Sequence, residues 1–376
     1  MTLTSRKTAL AGLATLGVSA LLLAGCSAAP SGSNTSAAAS KFLPCMVSDS
    51  GGFNDHSFNE LGLNGLQAAA KSLGVKEKHV ESNTNDDYAP NIEGMLGQGC
   101  NLIVTVGFLL SSATDDAAKA NPDTNFAIVD DGLDNSGATG TDGKPTGDGK
   151  VDVPNGKPIL FDTAQAAFLA GYAAASYSKT GVVGTFGGIQ IPPVTIFMDG
   201  FAEGVAYFDK VKGKSVKVVG WDVASQKGSF TGGFAAGVEA KTAAQGLLDQ
   251  NADVILPVGG PIYQSAAEAI RDKNAGVALI GVDADVFNTD PKVKDLLLTS
   301  VMKGVDAGVK AVVEDAAGGD FNNTPYVGTL KNGGVGLAPF HDFASKVDPG
   351  LQKEIDALKA KIISGEITVT SVASPK

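Results

Sequence analysis

The chain has 376 residues, 43% of them hydrophobic and 18% charged, with 48 glycines and a formal net charge of −11. That length accommodates two domains of ordinary size. The acidic balance excludes bulk electrostatic attraction to nucleic acid or to an anionic membrane surface, and no segment beyond residue 25 has the length and unbroken apolarity of a membrane span.

The first residues read as a targeting segment. Arg6 and Lys7 form a positive start, residues 9–23 are apolar but shorter than a typical span, and the run ends Leu23-Ala24-Gly25-Cys26. That ending is similar to a bacterial lipobox, in which the cysteine becomes the lipidated first residue of the mature protein. Loss of residues 1–25 takes Arg6 and Lys7 with it and leaves a charge near −13, 27 basic residues against 40 acidic. Residues 28–40 are rich in Ser, Ala, Gly and Asn without periodicity, the composition of a flexible tether. If Cys26 carries lipid, Cys45 and Cys100 remain. A disulfide between them is possible in an oxidising compartment, while two buried free thiols are the more ordinary outcome. Their spacing supports no zinc site.

From residue 42 onward short apolar runs alternate with helical spacing. Residues 42–47 read as a strand, Ser48–Asn59 as a polar glycine-bearing turn, and 60–72 as a helix. Strands are expected at 79–82, 102–106 and 126–129, and helices at 91–98 and 111–121, with a loop at 83–91. Residues 133–157, rich in Gly, Asp, Thr and Lys, are expected to form an exposed, mobile insertion. Asp142, Asp148 and Asp152 lack the spacing of a calcium loop. A second series follows: strands at 158–161, 181–186, 216–221, 254–258, 277–282 and 296–301, with helices at 163–179, within 192–207, and at 232–250, 262–273 and 304–317. Short strands at 326–329 and 334–337 precede a closing helix at 346–364. Strand–turn–helix alternation of this kind predicts an α/β protein with parallel, doubly wound sheets, and two such series predict two lobes with a cleft between them.

Catalytic constellations are absent. His56, His79 and His341 stand beside no nucleophile elbow and read as surface or capping residues, there is no P-loop lysine, and the glycines of 181–188 have the wrong spacing for a dinucleotide turn. What recurs is chemistry at strand ends: Asp49, Gly107, Asp130, Gly187, Gly259, Asp283 and Lys303 each fall at or just past the carboxyl end of an expected strand. Open α/β sheets bind ligands there. Carboxylates at that place accept from hydroxyls or ring N–H groups, and a lysine donates. The turn at Ser48–Asn59 adds an aromatic face at Phe58 and amides at Asn54 and Asn59.

Four motifs carry a family resemblance: Asp49-Ser-Gly-Gly-Phe-Asn-Asp-His-Ser-Phe-Asn59; Gly187-Gly-Ile-Gln-Ile-Pro-Pro193 leading to Phe197-Met-Asp-Gly-Phe201; Gln250-Asn-Ala-Asp-Val-Ile-Leu256 with Gly259-Gly260; and Gly281-Val-Asp283 with Thr299-Ser-Val-Met-Lys303. In these the chain resembles the basic membrane protein family, the lipoprotein substrate-binding components of ABC transporters that include purine nucleoside receptors. The resemblance implies a type I periplasmic-binding-protein fold, with two doubly wound parallel-sheet lobes joined by three crossovers around a cleft. One lobe would span residues 41–162 with a return segment near 302–328, the other 163–301 with a C-terminal segment near 329–376. It implies a non-enzymatic, cofactor-free monomer, lipid-anchored outside the cell membrane, that passes nucleosides to an ABC permease. By motif position Phe58 and Phe197 would stack on the base, with Asp49 and Asp130 as acceptors facing it. Asp283 and Lys303 would clamp the ribose, and Asn59 and Gly259 would line the site. Asp55 and His56 are left with structural roles. The chain departs from the family pattern at Asp285-Val286, in residues 221–230 and in the insertion near Leu133. A sugar or autoinducer-like ligand is the alternative, and a nucleoside hydrolase the remote one, since no general acid/base pair is evident.

Overall fold

Runs rich in β-branched residues make the strands, and they are buried almost end to end because helices cover both faces of each sheet. In the computed structural model, which describes residues 42–135, 147–273 and 276–375, the first sheet holds β1 (Pro44–Ser50), β2 (Lys78–Ser82), β3 (Leu102–Val106), β4 (Asn125–Val129), β5 (Gly156–Phe161) and, from late in the chain, β13 (Tyr326–Gly328). Its order is β13-β5-β4-β3-β1-β2 and every pairing is parallel. The second holds β6 (Val182–Gly187), β7 (Lys217–Val219), β10 (Val254–Val258), β11 (Ala278–Asp283), β12 (Leu297–Lys303) and β14 (Val335–Leu337), with β8 (Trp221–Asp222) and β9 (Lys227–Gly228) forming a small ribbon beside it. Its order, β14-β12-β11-β10-β6-β7, mirrors the first, except that β14 runs antiparallel to β12. The chain passes between the sheets three times: after β5, after β12 and between β13 and β14. Residue 26, the 1–25 segment and the tether lie outside the described residues.

The helices are α1 (Phe58–Leu73), α2 (Tyr88–Gly97), α3 (Ser111–Ala120), α4 (Thr163–Tyr177), α5 (Pro192–Lys212), α6 (Val238–Leu248), α7 (Ile262–Lys273), α8 (Val286–Thr289), α9 (Val305–Gly318) and α10 (Leu351–Ser364). The alanine-rich α4 is buried on nearly all sides. It packs against α5 at backbone contact: a Cβ on Gly171 or Gly204 would fall 2.0 Å from a carbonyl oxygen of the facing helix. Side chains this small let two crossing helices approach that closely.

Several expectations require correction. Cys45 and Cys100 are joined as a disulfide, Cα to Cα 5.9 Å apart, where free thiols were the more ordinary expectation. The cause is register: β1 pairs with β3 from Pro44 opposite Leu102, and Asn101 N donates to Leu43 O, which brings Cys100 beside Cys45. The insertion is anchored at both ends, because Leu133 and Val153 are buried and Asn155 Nδ2 donates to the carbonyls of Ala118, Asn121 and Thr124; its middle, with Asp142, lies outside the described residues. Gly220, at φ 86°, splits the strand expected at 216–221 into β7 and β8. The helix expected from residue 232 begins only at Val238, and that expected from 346 begins at Leu351. Tyr88, placed in a loop, opens α2 and is buried.

Candidate functional site

The carboxyl ends of β1, β3 and β4 face those of β10, β11 and β12 across the gap between the sheets. A cavity with about 550 Å³ of empty space, part of it open to solvent, lies there. Asp49, Phe58, Asn59, Asp130, Phe197, Gly259, Asp283 and Lys303 all border it. The eight come from seven separate places in the chain, and the mirrored order of the two sheets brings them together.

Matching strands supply matching residues. Gly107 follows β3 at φ 121° and Gly259 follows β10 at φ 150°; Asp130 follows β4 at φ 72° and Asp283 ends β11 at φ 65°. β3 and β10 hold the same place in their sheets, as do β4 and β11. Each aspartate sits in the left-handed region, tolerated by Asp better than by most residues but at a cost of roughly 1–3 kcal/mol. That conformation turns the chain sharply at the strand end, and both carboxylates border the cavity.

Asp49 lies against the Gly107 backbone, where a Cβ would fall 2.1 Å from its Oδ2. Burial pushes its acid up to about 8; a hydrogen bond with Asn59 and the Lys303 charge oppose the rise, and the charges of Asp55 and Asp130 add to it. Asp283 is pushed up to about 6, again chiefly by burial, with Lys303 pulling it down. Asp130 is also raised by burial, against the pull of Lys303. Lys303, 3% exposed, bonds Asp130 Oδ2 directly, and its Nζ stands 4.8 Å from the centre of the Phe58 ring and 5.8 Å from that of Phe197. Such distances place an ammonium where ring faces attract it. Asn59 Oδ1 is buried and has no partner among the described residues.

Asp55 does double duty. Its carboxylate accepts from the backbone N–H groups of Ser57 (3.0 Å), Asn59 (2.8 Å) and Glu60 (3.1 Å), satisfying donors that the start of α1 leaves free, and it borders the cavity as well. His56 is partly exposed and pairs with Glu60. His341 bonds Asp285 at 2.9 Å and stacks on Phe287.

Phe108 and Phe234, outside the set expected from the sequence, border the same cavity. Phe234 lies ahead of α6, in a stretch whose composition predicts helix but which is irregular up to Val238. Its ring rests on two glycines from neighbouring strands, since a Cβ on Gly188 or Gly259 would meet its Cδ1 at 2.4 or 2.8 Å. It keeps part of its surface exposed, whereas Phe197 is 2% exposed and packed in the core. The available signal was an aromatic flanked by glycine, Gly232-Gly233-Phe234, ahead of the helix. Among the described residues no group of three or more His, Cys, Asp or Glu could hold a metal ion, and no helix is long and apolar enough to cross a membrane.

The family described as Bmp, ABC transporter substrate-binding protein PnrA-like, matches residues 42–372. The chain is 30% identical to the ABC transporter nucleoside-binding protein BmpA of Lactococcus lactis over 94% of its own length and 96% of that protein's. It is 31% identical to an uncharacterised lipoprotein of Pyrococcus abyssi, covering 84% of this chain and 73% of the other. An ABC transporter solute-binding protein of Aeropyrum pernix K1 has the same fold, with a TM-score of 0.72 at 24% identity over 87% of this chain and 92% of that one. Two mirrored sheets, a cavity between their carboxyl ends and a family match across nearly all described residues converge: the chain belongs to the Bmp family of PnrA-like ABC transporter substrate-binding proteins.

Proposed function

We propose that this protein captures purine nucleosides outside the cell membrane, anchored by lipid on Cys26, and delivers them to an ABC permease. The observation that carries the reading is one cavity bordered by aromatic rings and by buried Asp and Lys side chains. The name of the Lactococcus lactis relative supports it. Phe58, Phe108 and Phe234 each keep surface open at the cavity, and of these Phe58 and Phe234 take the base faces in this reading, with the more deeply buried Phe197 behind them. Stacking contributes roughly 1–3 kcal/mol per base. Asp130 accepts from the base edge through Oδ1, and Asp49, largely protonated at neutral pH, can donate to a ring nitrogen as well as accept. Asp283 and Lys303 hold the ribose hydroxyls, with charge-assisted bonds on the order of 1.5–3 kcal/mol each. Asn59 and Gly259 line the pocket. A neutral nucleoside is compatible with so many carboxylates; a nucleotide phosphate is repelled.

Isothermal titration with guanosine, inosine, adenosine, uridine and D-ribose tests this. Heat with purine nucleosides and none with ribose is the expected result; silence with every nucleoside sinks the reading and leaves the family intact. In the same assay Asp283→Ala weakens ribosides about tenfold more than free bases, and equal losses would remove its ribose role. Phe234→Ala costs roughly 5- to 150-fold, the stacking energy above expressed as affinity.

A further inference from the structure

We propose that the pocket also admits purine nucleosides carrying a single apolar substituent on the exocyclic N6 amine, with the substituent held in a second cavity beside the first. This rests on the nucleoside reading above. The second cavity contains about 590 Å³ of empty space, part of it open to solvent, and Phe108, Asp130, Pro193 and Lys303 border both spaces. Asp130 and Lys303 thus form a partition and not an outer wall.

Beyond the partition Leu160, Phe161 and Ile196 contribute apolar surface, Asp131 adds one further carboxylate at the edge, and Ala373 and Pro375 close one side. These last two belong to the C-terminal segment, which is pinned across the junction of the lobes. Ser371 Oγ donates to Asp199 Oδ2 at 2.6 Å, on α5, and Ser374 Oγ donates to Asp162 Oδ1 at 3.0 Å, just after β5. Thr163 also borders this cavity, and its Oγ1 is buried without a partner among the described residues. The space therefore has a fixed floor and one unused hydroxyl within mostly apolar walls.

The chemistry of the partition selects the substituent. A secondary N6 amine keeps one N–H for the Asp130 carboxylate and directs its carbon substituent past Asp130 into the aliphatic space. A tertiary amine keeps no N–H, so Asp130 Oδ1 loses its donor while Oδ2 keeps Lys303, and a buried acceptor atom left without a partner is penalised. Each methylene buried in the second cavity is worth about fourfold in affinity.

Calorimetric titration of the full chain with adenosine, N6-benzyladenosine and N6,N6-dimethyladenosine tests the proposal. N6-benzyladenosine is expected to bind within about threefold of adenosine or tighter, and the dimethyl compound at least tenfold more weakly. Filling the second cavity by Leu160→Trp, or independently by Ala373→Trp at the C-terminal floor, is expected to cost the benzyl compound at least tenfold while adenosine stays within about twofold. The inference is overturned if adenosine binds and the benzyl compound is a hundredfold weaker, or if the folded variants weaken both ligands equally. If no unsubstituted nucleoside binds, the parent reading falls and takes this one with it.

Discussion

At Asp49 a carboxyl group is held between the Gly107 backbone and the Asn59 amide, with two further aspartates close enough to raise its acid and one lysine opposing them. A folded-state value near 8 against an ordinary 3.8 means that the folded protein binds this proton more tightly than the unfolded chain does. Stability from this group is therefore fully present below about pH 4 and is lost as pH rises toward 8. Asp283, pushed up to about 6, adds a decline of the same sign at lower pH. The expected outcome is a thermal midpoint that falls between pH 6 and 8 and flattens in Asp49→Asn, where a neutral amide replaces the acid. An unchanged slope in that variant, followed by scanning calorimetry, would refute the assignment. Asp49 was legible in the sequence as a strand-end carboxylate, but its protonation was not, because that depends on Gly107, Asn59 and Asp130, which approach from other parts of the chain.

The strands contribute their ends rather than their lengths. β3 and β10 each terminate in a glycine of positive φ, and β4 and β11 each deliver a left-handed aspartate, although no repeat is visible in the sequence. The opposite ends of β1 and β3 carry the disulfide, far from the carboxyl ends that border the cavity. It joins residues 55 apart, and closing a loop of that size stabilises by up to about 4 kcal/mol. Replacing both cysteines with serine should cost roughly 2–4 kcal/mol in denaturant unfolding while nucleoside affinity stays within about twofold. An unchanged midpoint would show that the bridge contributes nothing measurable.

Across the whole molecule, direct bonds tie one sheet's elements to the other's. Ser57 Oγ, just before α1, donates to Val282 O and to Asp283 Oδ2, both at 3.1 Å. Thr289 Oγ1 donates to His56 O at 2.9 Å, and Lys303 reaches Asp130. These contacts exist only while the lobes are together, so each biases the lobes toward the joined state and raises apparent affinity by the population it adds. Ser57→Ala removes two of them. It should raise Kd about three- to tenfold, equally for ribosides and free bases, by calorimetry. A loss confined to ribosides would mean that Ser57 acts only by orienting Asp283.

Much of this arrangement is local, and that part the sequence determined alone. Alternating strands and helices, the order of the strand-end residues, and the motifs around Asp49, Gly259, Asp283 and Lys303 follow from period and turn chemistry, which neighbouring residues set. Tertiary structure decided what depends on register and approach. The pairing of β1 with β3 made Cys45 and Cys100 a disulfide, and Gly188 and Gly259, just past the ends of two neighbouring strands, seated Phe234 at the cavity with part of its surface open, while Phe197 borders the same cavity almost wholly buried. The physical reason is that a side chain's type is carried by its own position, whereas its neighbours, its burial and its charge state are set by segments that meet only when the sheets form.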